Sequence, residues 1–331
     1  MWVEASAPSN IALIKYMGKT DPILNQPCNT SISYTLEHLR TFVQIKENTQ
    51  TKEDRWALLE RKDLRPMTLS ENGKNKFVRH LQFLKEKFNV SQFFDLESAN
   101  NFPSDCGLAS SASSFAALTL AFSKWFKESH QKSNLIVNSD LTSLDKLALL
   151  SKKGSGSSCR SFFTPWAVWS PTEVKAIEIP IQDLRHQVIL CDEKSKLVSS
   201  SQAHQRVLSS ELFRGRPQRA EERFVNLVSA LQQEKWQDSF EICWNEMWDM
   251  HVLFHTSKPP FMYMNGDSQR VLAELLEYWQ KNGDGPLVTM DAGSNIHLLY
   301  RADQKEIYEH LRSYFLNHYA VWSDEGYHDK N

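Results

Sequence analysis

The sequence predicts an α+β protein built in two lobes. A chain of 331 residues is longer than one hydrophobic core usually organises. Strand-like segments come mostly before the first long helical pattern, whereas helical patterns dominate the part of the chain that begins near residue 201. A break falls near residues 180–185, so we expect an N-terminal lobe over 1–183 and a C-terminal lobe over 184–331.

In the first lobe, short runs rich in aromatic and β-branched residues predict strands. These runs cover residues 2–6, 41–46, 56–60, 93–98, 167–170 and 174–179. A helix is predicted over 75–88, because Phe77, Leu81 and Leu84 recur on one stripe. A second helix, over 110–126, is rich in Ala, Leu and Phe and is predicted to be largely buried.

The second lobe begins with a short predicted strand at 188–190. Helical periodicity then predicts helices over 201–213, 219–232, 235–250, 268–281 and 303–317. Two strands are predicted between the last two helices, at 287–290 and 296–300, and the chain closes with a short tail. The sequence shows no internal repeat and no long Gly/Ser linker.

Composition excludes several classes of function. Hydrophobic residues make up 41% of the chain and charged residues 24%, and the net charge is -2, which gives no electrostatic reason to expect nucleic acid or an acidic membrane as partner. No apolar run approaches the length of a membrane span, and the first residues lack the pattern of a signal peptide. The five scattered cysteines contain no CxxC pair and suggest neither disulfides nor zinc. We therefore expect a cytoplasmic protein.

Two further patterns have ordinary interpretations. His251 and His255 lie four residues apart, but the neighbouring acids do not reproduce the HExxH arrangement of zinc enzymes. The charged stretch RGRPQRAEER (214–223) is predicted to be solvated surface, although one of its arginines could reach an anionic ligand.

The segment DAGSN (291–295) places one carboxylate at a tight break between two apolar runs. Asp, Gly, Ser and Asn are the residues of which turns are made. Taken alone, this pentapeptide is more typical of a plain turn than of a catalytic site.

The segment NNFPSDCGLASSASSF (100–115) puts small residues directly before a predicted buried helix. Small side chains let an anion approach the backbone, and a helix N-terminus offers free N–H groups. Ser110 and Ser111 add hydroxyls that could cap the helix, contact phosphate oxygens or ligate Mg²⁺. A well-capped helix without a ligand is the alternative, and a Walker loop is absent.

Two more segments carry chemistry. In GSGSSCRS (154–161), serine hydroxyls and the Arg160 guanidinium suit phosphate or carboxylate oxygens, although a flexible loop would have a similar composition. In NIALIKYMGK (10–19), Lys15 follows a run of apolar residues that is predicted to be buried, so it is harder to dismiss than an ordinary surface lysine.

Together these segments, with VSSSQ (198–202) and PPFMYMN (259–265), resemble in order and spacing the mevalonate diphosphate decarboxylases. That family belongs to the superfamily named after galactokinase, homoserine kinase, mevalonate kinase and phosphomevalonate kinase. The resemblance runs from residue 5 to about residue 317. It implies a two-lobed small-molecule kinase fold with the active site in the cleft between the lobes.

The resemblance also implies an activity, its cofactors and its partners. The implied reaction is ATP-dependent decarboxylation of (R)-5-diphosphomevalonate to isopentenyl diphosphate, CO₂, ADP and phosphate. The tertiary 3-hydroxyl would be phosphorylated first, with ATP as phosphoryl donor and Mg²⁺ as cofactor. A homodimer is implied, with small molecules rather than nucleic acid or membrane as partners.

By resemblance, Asp291 is the catalytic aspartate that accepts or orients the 3-hydroxyl proton. Lys15 would lie beside it and offset charge on the transferring phosphoryl group. Arg160 would hold the substrate carboxylate by two parallel hydrogen bonds. These three residues are the implied catalytic set.

The resemblance assigns binding roles to a larger group of residues. Those implied to contact the substrate are Tyr16, Lys19, Ser155, Ser157, Arg160 and Ser200, and those implied to hold the ATP phosphates are Gly107, Ala109, Ser110 and Ser111. Ser111 is also the implied ligand of Mg²⁺.

The chain departs from the family pattern at four points. Ser294 replaces a proline in the DAGPN motif, and Met17 replaces a tryptophan in YWGK. Asp105 stands in the phosphate loop, where a like charge beside a triphosphate is unfavourable unless it points away or meets the metal. The arginine that the family uses against the distal phosphate has no clear match, and Lys74 is the nearest cation.

Two alternatives stay open at this point. One is a relative that decarboxylates mevalonate 5-phosphate, or a kinase that only phosphorylates the 3-hydroxyl. The other is a non-catalytic ligand-binding or scaffold protein on the same fold. The retained Asp291, Lys15 and Arg160 argue against the second, because such proteins usually lose these groups.

Overall fold

The structure is a computed structural model that describes residues 1–65, 69–102, 110–132, 139–192 and 197–330, without the side chains of 130–132 and 139–140. Among these residues, no helix combines the length and the apolar character needed to cross a membrane. The described part contains a six-stranded sheet, a five-stranded sheet and one short hairpin. Helices pack on both larger sheets, which confirms the predicted α+β class.

The elements of the first half are, in order, β1 (Val3–Ile14), β2 (Lys19–Asp21), β3 (Gln26–Pro27), β4 (Ser31–Glu47), β5 (Arg55–Leu58), α1 (Glu71–Phe88), β6 (Phe94–Asn100), α2 (Ser110–Lys132), a 3₁₀ helix (Ser139–Thr142), α3 (Leu144–Ser151), a second 3₁₀ helix (Gly156–Phe162), β7 (Trp166–Trp169) and β8 (Val174–Ala176). The sheet order is β5-β6-β4-β7-β8, and β1 pairs with β4. The long strand β4 is antiparallel to β1, and it pairs with β7 near its start and with β6 near its end. Only the β5–β6 pairing is parallel among these strands.

The elements of the second half are β9 (Leu184–Leu190), α4 (Ser200–Arg206), two 3₁₀ turns (Val207–Ser209 and Glu211–Gly215), α5 (Arg216–Gln232), α6 (Trp236–His255), α7 (Gly266–Asn282), β10 (Leu287–Thr289), β11 (Ile296–Arg301), α8 (Lys305–Leu316), β12 (Ala320–Ser323) and β13 (Gly326–His328). Their sheet has the order β10-β11-β9-β12-β13 and is antiparallel throughout.

Helix α1 shows how a local pattern becomes a buried face. Its predicted stripe is confirmed, because Phe77, Leu81 and Leu84 are buried against the first sheet. Ser70 caps the start by accepting from the N–H of Gly73 at 3.2 Å, and Asn89 ends the helix in the left-handed region. The face of α1 that adjoins this stripe carries Lys76 and Arg79, which are not buried.

Several sequence predictions were wrong in extent. The strand predicted at 41–46 is only the end of the 17-residue β4, whose first half buries two serines and one threonine, which are not typical of a strand core. The predicted tail contains β12, which pairs with β9, a contact that no local pattern signals, and β13, which pairs with β12. The helix predicted over 201–213 is α4 followed by 3₁₀ turns.

The loop considered at 154–161 is largely a 3₁₀ helix. Serine hydroxyls supply contacts that composition alone does not predict: Ser158 Oγ lies 2.7 Å from the carbonyl oxygen of Ser155 and 2.8 Å from Ser151 Oγ, with one hydroxyl proton to share between them. Local side-chain bonds of this kind order short turns. Arg160 is therefore presented from a structured segment.

The two halves share one interior. The largest cluster of buried apolar residues joins Ile11, Leu13 and Ile14 of β1 to residues of α5, α6 and the second sheet. The end of β1 thus packs against helix α6 and strand β10 rather than facing open solvent. This packing brings Lys15, one residue beyond β1, to the residues that follow β10.

Candidate active site

Lys15 and Asp291 form an ion pair. The Nζ of Lys15 is 2.8 Å from Oδ1 of Asp291, although 276 residues separate them in the chain. The lysine side chain is 2% exposed and the aspartate side chain is 28% exposed. The lysine therefore contacts the carboxylate on its buried side, and the rest of the carboxylate stays accessible. The structure also contains the turn that the sequence predicts at Asp291, because the Gly293 N–H donates to the Asp291 carbonyl at 2.8 Å. The turn and the ion pair coexist.

The environment keeps the Asp291 carboxylate ionised. Burial acts to raise the pKa of this carboxyl, but the Lys15 ammonium, with His297 and Arg160 further off, lowers the pKa below its ordinary value. An ionised carboxylate with an open side can orient a hydroxyl and accept its proton as phosphoryl transfer proceeds.

Arg160 is buried and is held by two neighbouring side chains. Its Nε donates to Asn10 Oδ1 at 3.2 Å, and its Nη1 donates to Ser31 Oγ at 2.8 Å. The guanidinium lies 5.8 Å from the centre of the Trp169 ring. Only 3% of the residue is exposed, so its orientation is set before any ligand arrives.

Asn10 is a site residue to which the sequence alone gave no role. Its Nδ2 donates to Ser161 Oγ at 2.8 Å and to the Ser157 carbonyl at 3.3 Å, while its Oδ1 accepts from Arg160. It is 1% exposed. Asn10 therefore ties β1 to the 3₁₀ segment that carries Arg160. The sequence feature that could have identified Asn10 is its position at the start of NIALIKYMGK, where a polar amide precedes an apolar run.

Three serines meet where helix α2 begins. Ser155 Oγ is 3.3 Å from Ser111 Oγ and 3.4 Å from Ser157 Oγ. Ser111 is exposed, and Ser110 precedes it at the first turn of α2. These hydroxyls and the helix N-terminus suit phosphate oxygens and Mg²⁺. The predicted phosphate-loop residues Gly107 and Ala109, and Asp105 with them, lie outside the described residues.

A basic cleft of about 390 Å³ adjoins these serines. Its lining residues are Lys19, Pro22, Ile23, Asn25, Lys76, Arg79, His80, Phe83, Lys153, Gly154, Ser201, His204, Gln205 and Leu208. Four of the fourteen are cations, and no carboxylate is among the described lining residues. A cleft with this charge fits a multiply charged anion such as a diphosphate.

Helix α1 supplies the cations that the sequence did not locate. Lys76 and Arg79 line the cleft. Lys74, the cation nearest in sequence to the position of the missing arginine, instead pairs with Glu71 at 2.6 Å and lies 5.9 Å from the ring of Trp56. Two residues along a helix turn a side chain by about 200°, which separates these neighbouring cations onto different faces.

Lys19 combines burial with nearby positive charge. Burial and the like charge of Lys76 lower its pKa to about 8. Its Nζ donates to Asn25 Oδ1 at 2.6 Å, and the residue lines the cleft. An ammonium in this state gains from a bound anion, which would restore its usual pKa.

Tyr16 follows Lys15 in the chain and contacts two residues that line the cleft, His204 and Asn25. Its ring centre lies 4.3 Å from that of His204 and 4.6 Å from that of Trp169. A Cβ on Gly156 would come within 2.6 Å of the Tyr16 ring, so the close contact requires glycine there. The Tyr16 hydroxyl donates to the carbonyl of Asn25 at 3.2 Å.

The VSSSQ segment stands at the other edge of the cleft. Ser199 caps α4 by accepting from the Gln202 N–H at 3.3 Å. Ser201 lines the cleft, whereas Ser200 is exposed at the first position of the helix and is not among the lining residues. The geometry therefore favours Ser201 over Ser200 as the contact with a ligand in the cleft.

Two family models cover most of the chain. One, described as "Diphosphomevalonate decarboxylase-like N-terminal domain", matches residues 7–177, and the other, "Mevalonate 5-diphosphate decarboxylase C-terminal domain", matches residues 187–329. The chain belongs to the diphosphomevalonate decarboxylase family. It is 30% identical to the diphosphomevalonate decarboxylase of Candida albicans, covering 96% of this chain and 89% of that one.

Solved structures of this family share the fold. The mevalonate diphosphate decarboxylase from Legionella pneumophila is 43% identical, with a TM-score of 0.89 over 97% of this chain and 100% of that one. A structure described as "MDDEF in complex with MVAPP, AMPPCP and Magnesium" is 27% identical, with a TM-score of 0.83 over 96% of this chain and 94% of that one. The predicted small-molecule kinase fold is confirmed by these likenesses.

Two residues that depart from the decarboxylase pattern, Met17 and Ser294, lie in the described part of the structure. Met17, in place of tryptophan, is 3% exposed and packs in a cluster with Met250 and Phe254 of α6. Ser294 stands in place of proline, and its carbonyl accepts from Ser268 Oγ at 2.7 Å, a bond that a proline carbonyl could accept equally. The turn is thus tied to helix α7 by a hydrogen bond.

Proposed function

We propose that this protein catalyses the ATP-dependent decarboxylation of (R)-5-diphosphomevalonate to isopentenyl diphosphate, CO₂, ADP and phosphate. The observation that carries the proposal is the Lys15–Asp291 pair, at 2.8 Å, whose partly open carboxylate lies near enough to Arg160 for that guanidinium to help lower its pKa. Family membership supports the reaction class. The relatives' names and the ligands of the MDDEF structure support this substrate, with ATP as phosphoryl donor and Mg²⁺ as cofactor.

The residues divide the work as follows. Asp291 orients the 3-hydroxyl and takes its proton while the hydroxyl oxygen bonds to the γ-phosphorus and the bond from that phosphorus to ADP breaks. Lys15 offsets negative charge at the same point. Arg160, fixed by Asn10 and Ser31, binds the substrate carboxylate in the correct orientation.

Decarboxylation follows from the phosphorylated intermediate. The C–O bond to the new phosphate breaks and the leaving phosphate takes that electron pair. The bond between the carboxylate carbon and its neighbour then supplies the electrons of the new C=C bond, and CO₂ departs. A tertiary hydroxyl is a poor leaving group, so its phosphorylation is what makes this step accessible.

The anionic ends of both substrates need separate sites. Lys19, Lys76, Arg79 and Lys153 in the cleft suit the 5-diphosphate. Ser110 and Ser111 at the start of α2 suit the ATP phosphates, with Ser111 as a ligand of Mg²⁺. Bound there, Mg²⁺ would neutralise charge on the transferring phosphoryl group.

A side-by-side assay tests the proposal. Purified protein with ATP and Mg²⁺ receives mevalonate, its 5-phosphate or its 5-diphosphate, and both ADP and CO₂ are followed. Equal amounts of ADP and CO₂, with the diphosphate only, are expected. ADP without CO₂ would instead identify a kinase, preference for the monophosphate would identify a different decarboxylase, and neither product from any ester would favour a binding protein.

Three further features belong to the proposal. We place the lobe boundary between 183 and 184, within the segment that separates β8 from β9. We also propose a homodimer, as the family resemblance implies, and a cytoplasmic location. Light scattering on purified protein and fractionation of the source cells test these last two.

A further inference from the structure

The backbone of Lys15 is held by side chains from distant parts of the chain. Strand β1 ends one residue earlier, and the Lys15 N–H donates to Oε1 of Glu246 in α6 at 2.9 Å, across 231 residues. The Lys15 carbonyl accepts from Asn29 Nδ2 at 3.0 Å. The peptide groups on both sides of this residue are therefore fixed.

Glu246 is itself held in a fully buried ion pair. Glu246 and Arg216 are both 0% exposed, and Arg216 contacts both carboxylate oxygens, with Nη1 at 3.0 Å from Oε2 and Nη2 on Oε1. Arg223 adds a further bond to Oε2 at 3.1 Å. A buried charge survives only when it is paired, so Glu246 has very little freedom to move.

This cluster corrects the interpretation of RGRPQRAEER as solvated surface. Arg216, Arg219 and Arg223 project from one side of α5 toward two acids of α6, Glu246 and Asp249. Arg219 and Arg223 bind Asp249 with shortest N–O distances of 2.6 Å each. Of the two acids, Glu246 is the one that contacts Lys15.

We infer that Glu246, held by Arg216, is a positioning residue that sets where Lys15 meets Asp291. The inference rests on the proposed function of that pair. Asp291 follows β10 in the second sheet, whereas Lys15 follows β1 in the first, so their separation depends on how the two halves are joined at this point. Glu246, on helix α6 of the second half, binds the backbone N–H of Lys15 itself and so joins the two halves next to the lysine side chain.

The buried Arg216–Glu246 ion pair carries a desolvation cost that apolar side chains at the same positions would not have. Well-packed apolar side chains of similar volume often stabilise a fold as much as a buried salt bridge or more. They would, however, leave the Lys15 N–H without its acceptor. The arrangement is therefore explained by the need for a fixed acceptor at Oε1 better than by stability alone.

Two double variants separate positioning from stability. In Arg216→Met/Glu246→Gln the charges are gone, but an amide oxygen can still accept from Lys15. In Arg216→Met/Glu246→Leu the acceptor is gone as well. We expect the Gln form to keep turnover within about threefold of wild type and the Leu form to lose about 10- to 100-fold in kcat, with KM for both substrates little changed, because a small misplacement of a catalytic group has an effect of this size.

A matched control lies in the same cluster. Asp249→Asn removes an acid one turn further along α6 that has no contact with Lys15. This variant should lower the melting temperature without lowering kcat. Equal loss of kcat in the Gln and Leu forms, or a comparable loss in Asp249→Asn, would overturn the inference.

A double-mutant cycle tests whether Glu246 acts through Lys15. In a Lys15→Met background, the Gln and Leu forms should have the same residual turnover. A Leu form that is still 10-fold slower than the Gln form in that background would show that Glu246 acts elsewhere.

A structural measurement makes the inference independent of the substrate assignment. In crystals of the Leu form, the distance from Lys15 Nζ to Asp291 Oδ1 should exceed that in wild type, whereas the Gln form should keep the wild-type distance. Unchanged distances in both forms would contradict the positioning role. Inactivity of the wild-type protein on every mevalonate ester would instead count against the proposed function.

Discussion

At the scale of single residues, the chemistry depends on opposing effects at one carboxylate. Burial alone would raise the pKa of Asp291, but the Lys15 ammonium at 2.8 Å, together with His297 and Arg160, outweighs burial and lowers the pKa. The pair is asymmetric, because Lys15 is covered and Asp291 is partly open. A covered cation next to an accessible carboxylate is suited to act on a ligand that approaches from the open side.

Replacing the carboxylate tests its role directly. Asp291→Asn should lower kcat by about 10²- to 10⁴-fold, because the amide cannot accept the 3-hydroxyl proton. Nucleotide affinity, measured by fluorescence titration, should stay nearly unchanged. Asp303→Asn, at a surface carboxylate that pairs with Arg301, is the matched control and should keep wild-type turnover. Near wild-type turnover in Asp291→Asn would remove that residue from its assigned role.

Lys19 predicts a pH dependence for substrate capture. Its pKa of about 8 means that the ammonium is charged below that pH and neutral above it. The kcat/KM for the anionic substrate should therefore fall as the pH rises through about 8, since the free enzyme then loses a cation from the cleft. Lys19→Arg should remove this decline, because a guanidinium stays charged. An identical decline in the arginine variant, measured from pH 6.5 to 9.5, would assign it to another group.

At the scale of elements, helix α1 serves two purposes on different faces. Its apolar stripe packs on the first sheet, and that burial holds the helix in place. The adjoining face presents Lys76 and Arg79 to the cleft. The same periodicity that makes the helix amphipathic therefore also places Lys76 and Arg79 on a different face from Lys74.

The sorting of cations on α1 is testable by three single substitutions. Lys76→Ala and Arg79→Ala should each raise KM for diphosphomevalonate about tenfold, which corresponds to about 1.4 kcal/mol of lost binding. Lys74→Ala, on the same helix but paired with Glu71, should leave KM unchanged. Steady-state kinetics at fixed ATP distinguish these outcomes. A larger effect at Lys74 than at Lys76 would contradict the placement of the cleft cations.

At the scale of the whole molecule, buried histidines connect the two halves. His186 of β9 lies between His38 of β4 and His297 of β11, with ring nitrogens 3.0 Å apart at each contact.

Burial lowers the pKa of His38 to about 4 and that of His80, on helix α1, to about 3. His38 and His80 are therefore neutral in the folded protein near neutral pH.

This burial predicts a loss of stability in acid. The unfolded chain binds a proton at each histidine near pH 6.5, but folded His80 does not until about pH 3. The contribution of neutral His80 to the free energy of unfolding is therefore complete above pH 6.5, and it declines as the pH falls below that value. His80→Gln should reduce the slope of unfolding free energy against pH by about 1.4 kcal/mol per pH unit between pH 6 and 4.

Urea unfolding at several pH values measures this slope. His318→Gln, at an exposed position, is the control and should leave the slope as in wild type. An unchanged slope in His80→Gln would show that His80 is not neutral in the folded protein at these pH values.

Much of the fold and of the site was accessible from local pattern. Helical periodicity predicted the buried stripe of α1, and the break after β10 placed Asp291 correctly at a turn. Lys15 was singled out because it follows an apolar run, and the structure buries it. These inferences succeed because they depend on residues a few positions apart, where backbone geometry relates sequence to space.

What the sequence by itself determined is the α+β class, the family and the segments that carry the chemistry. Only the tertiary structure decided that Arg216 is buried rather than solvated, that Lys76 and Arg79 rather than Lys74 face the cleft, and that Glu246 holds Lys15. The physical reason is that the burial of a charge depends on a partner supplied by another element. The charge partner of Lys15 is Asp291, 276 residues away, and Glu246, which accepts its backbone N–H, lies 231 residues away, so no local pattern encodes either contact.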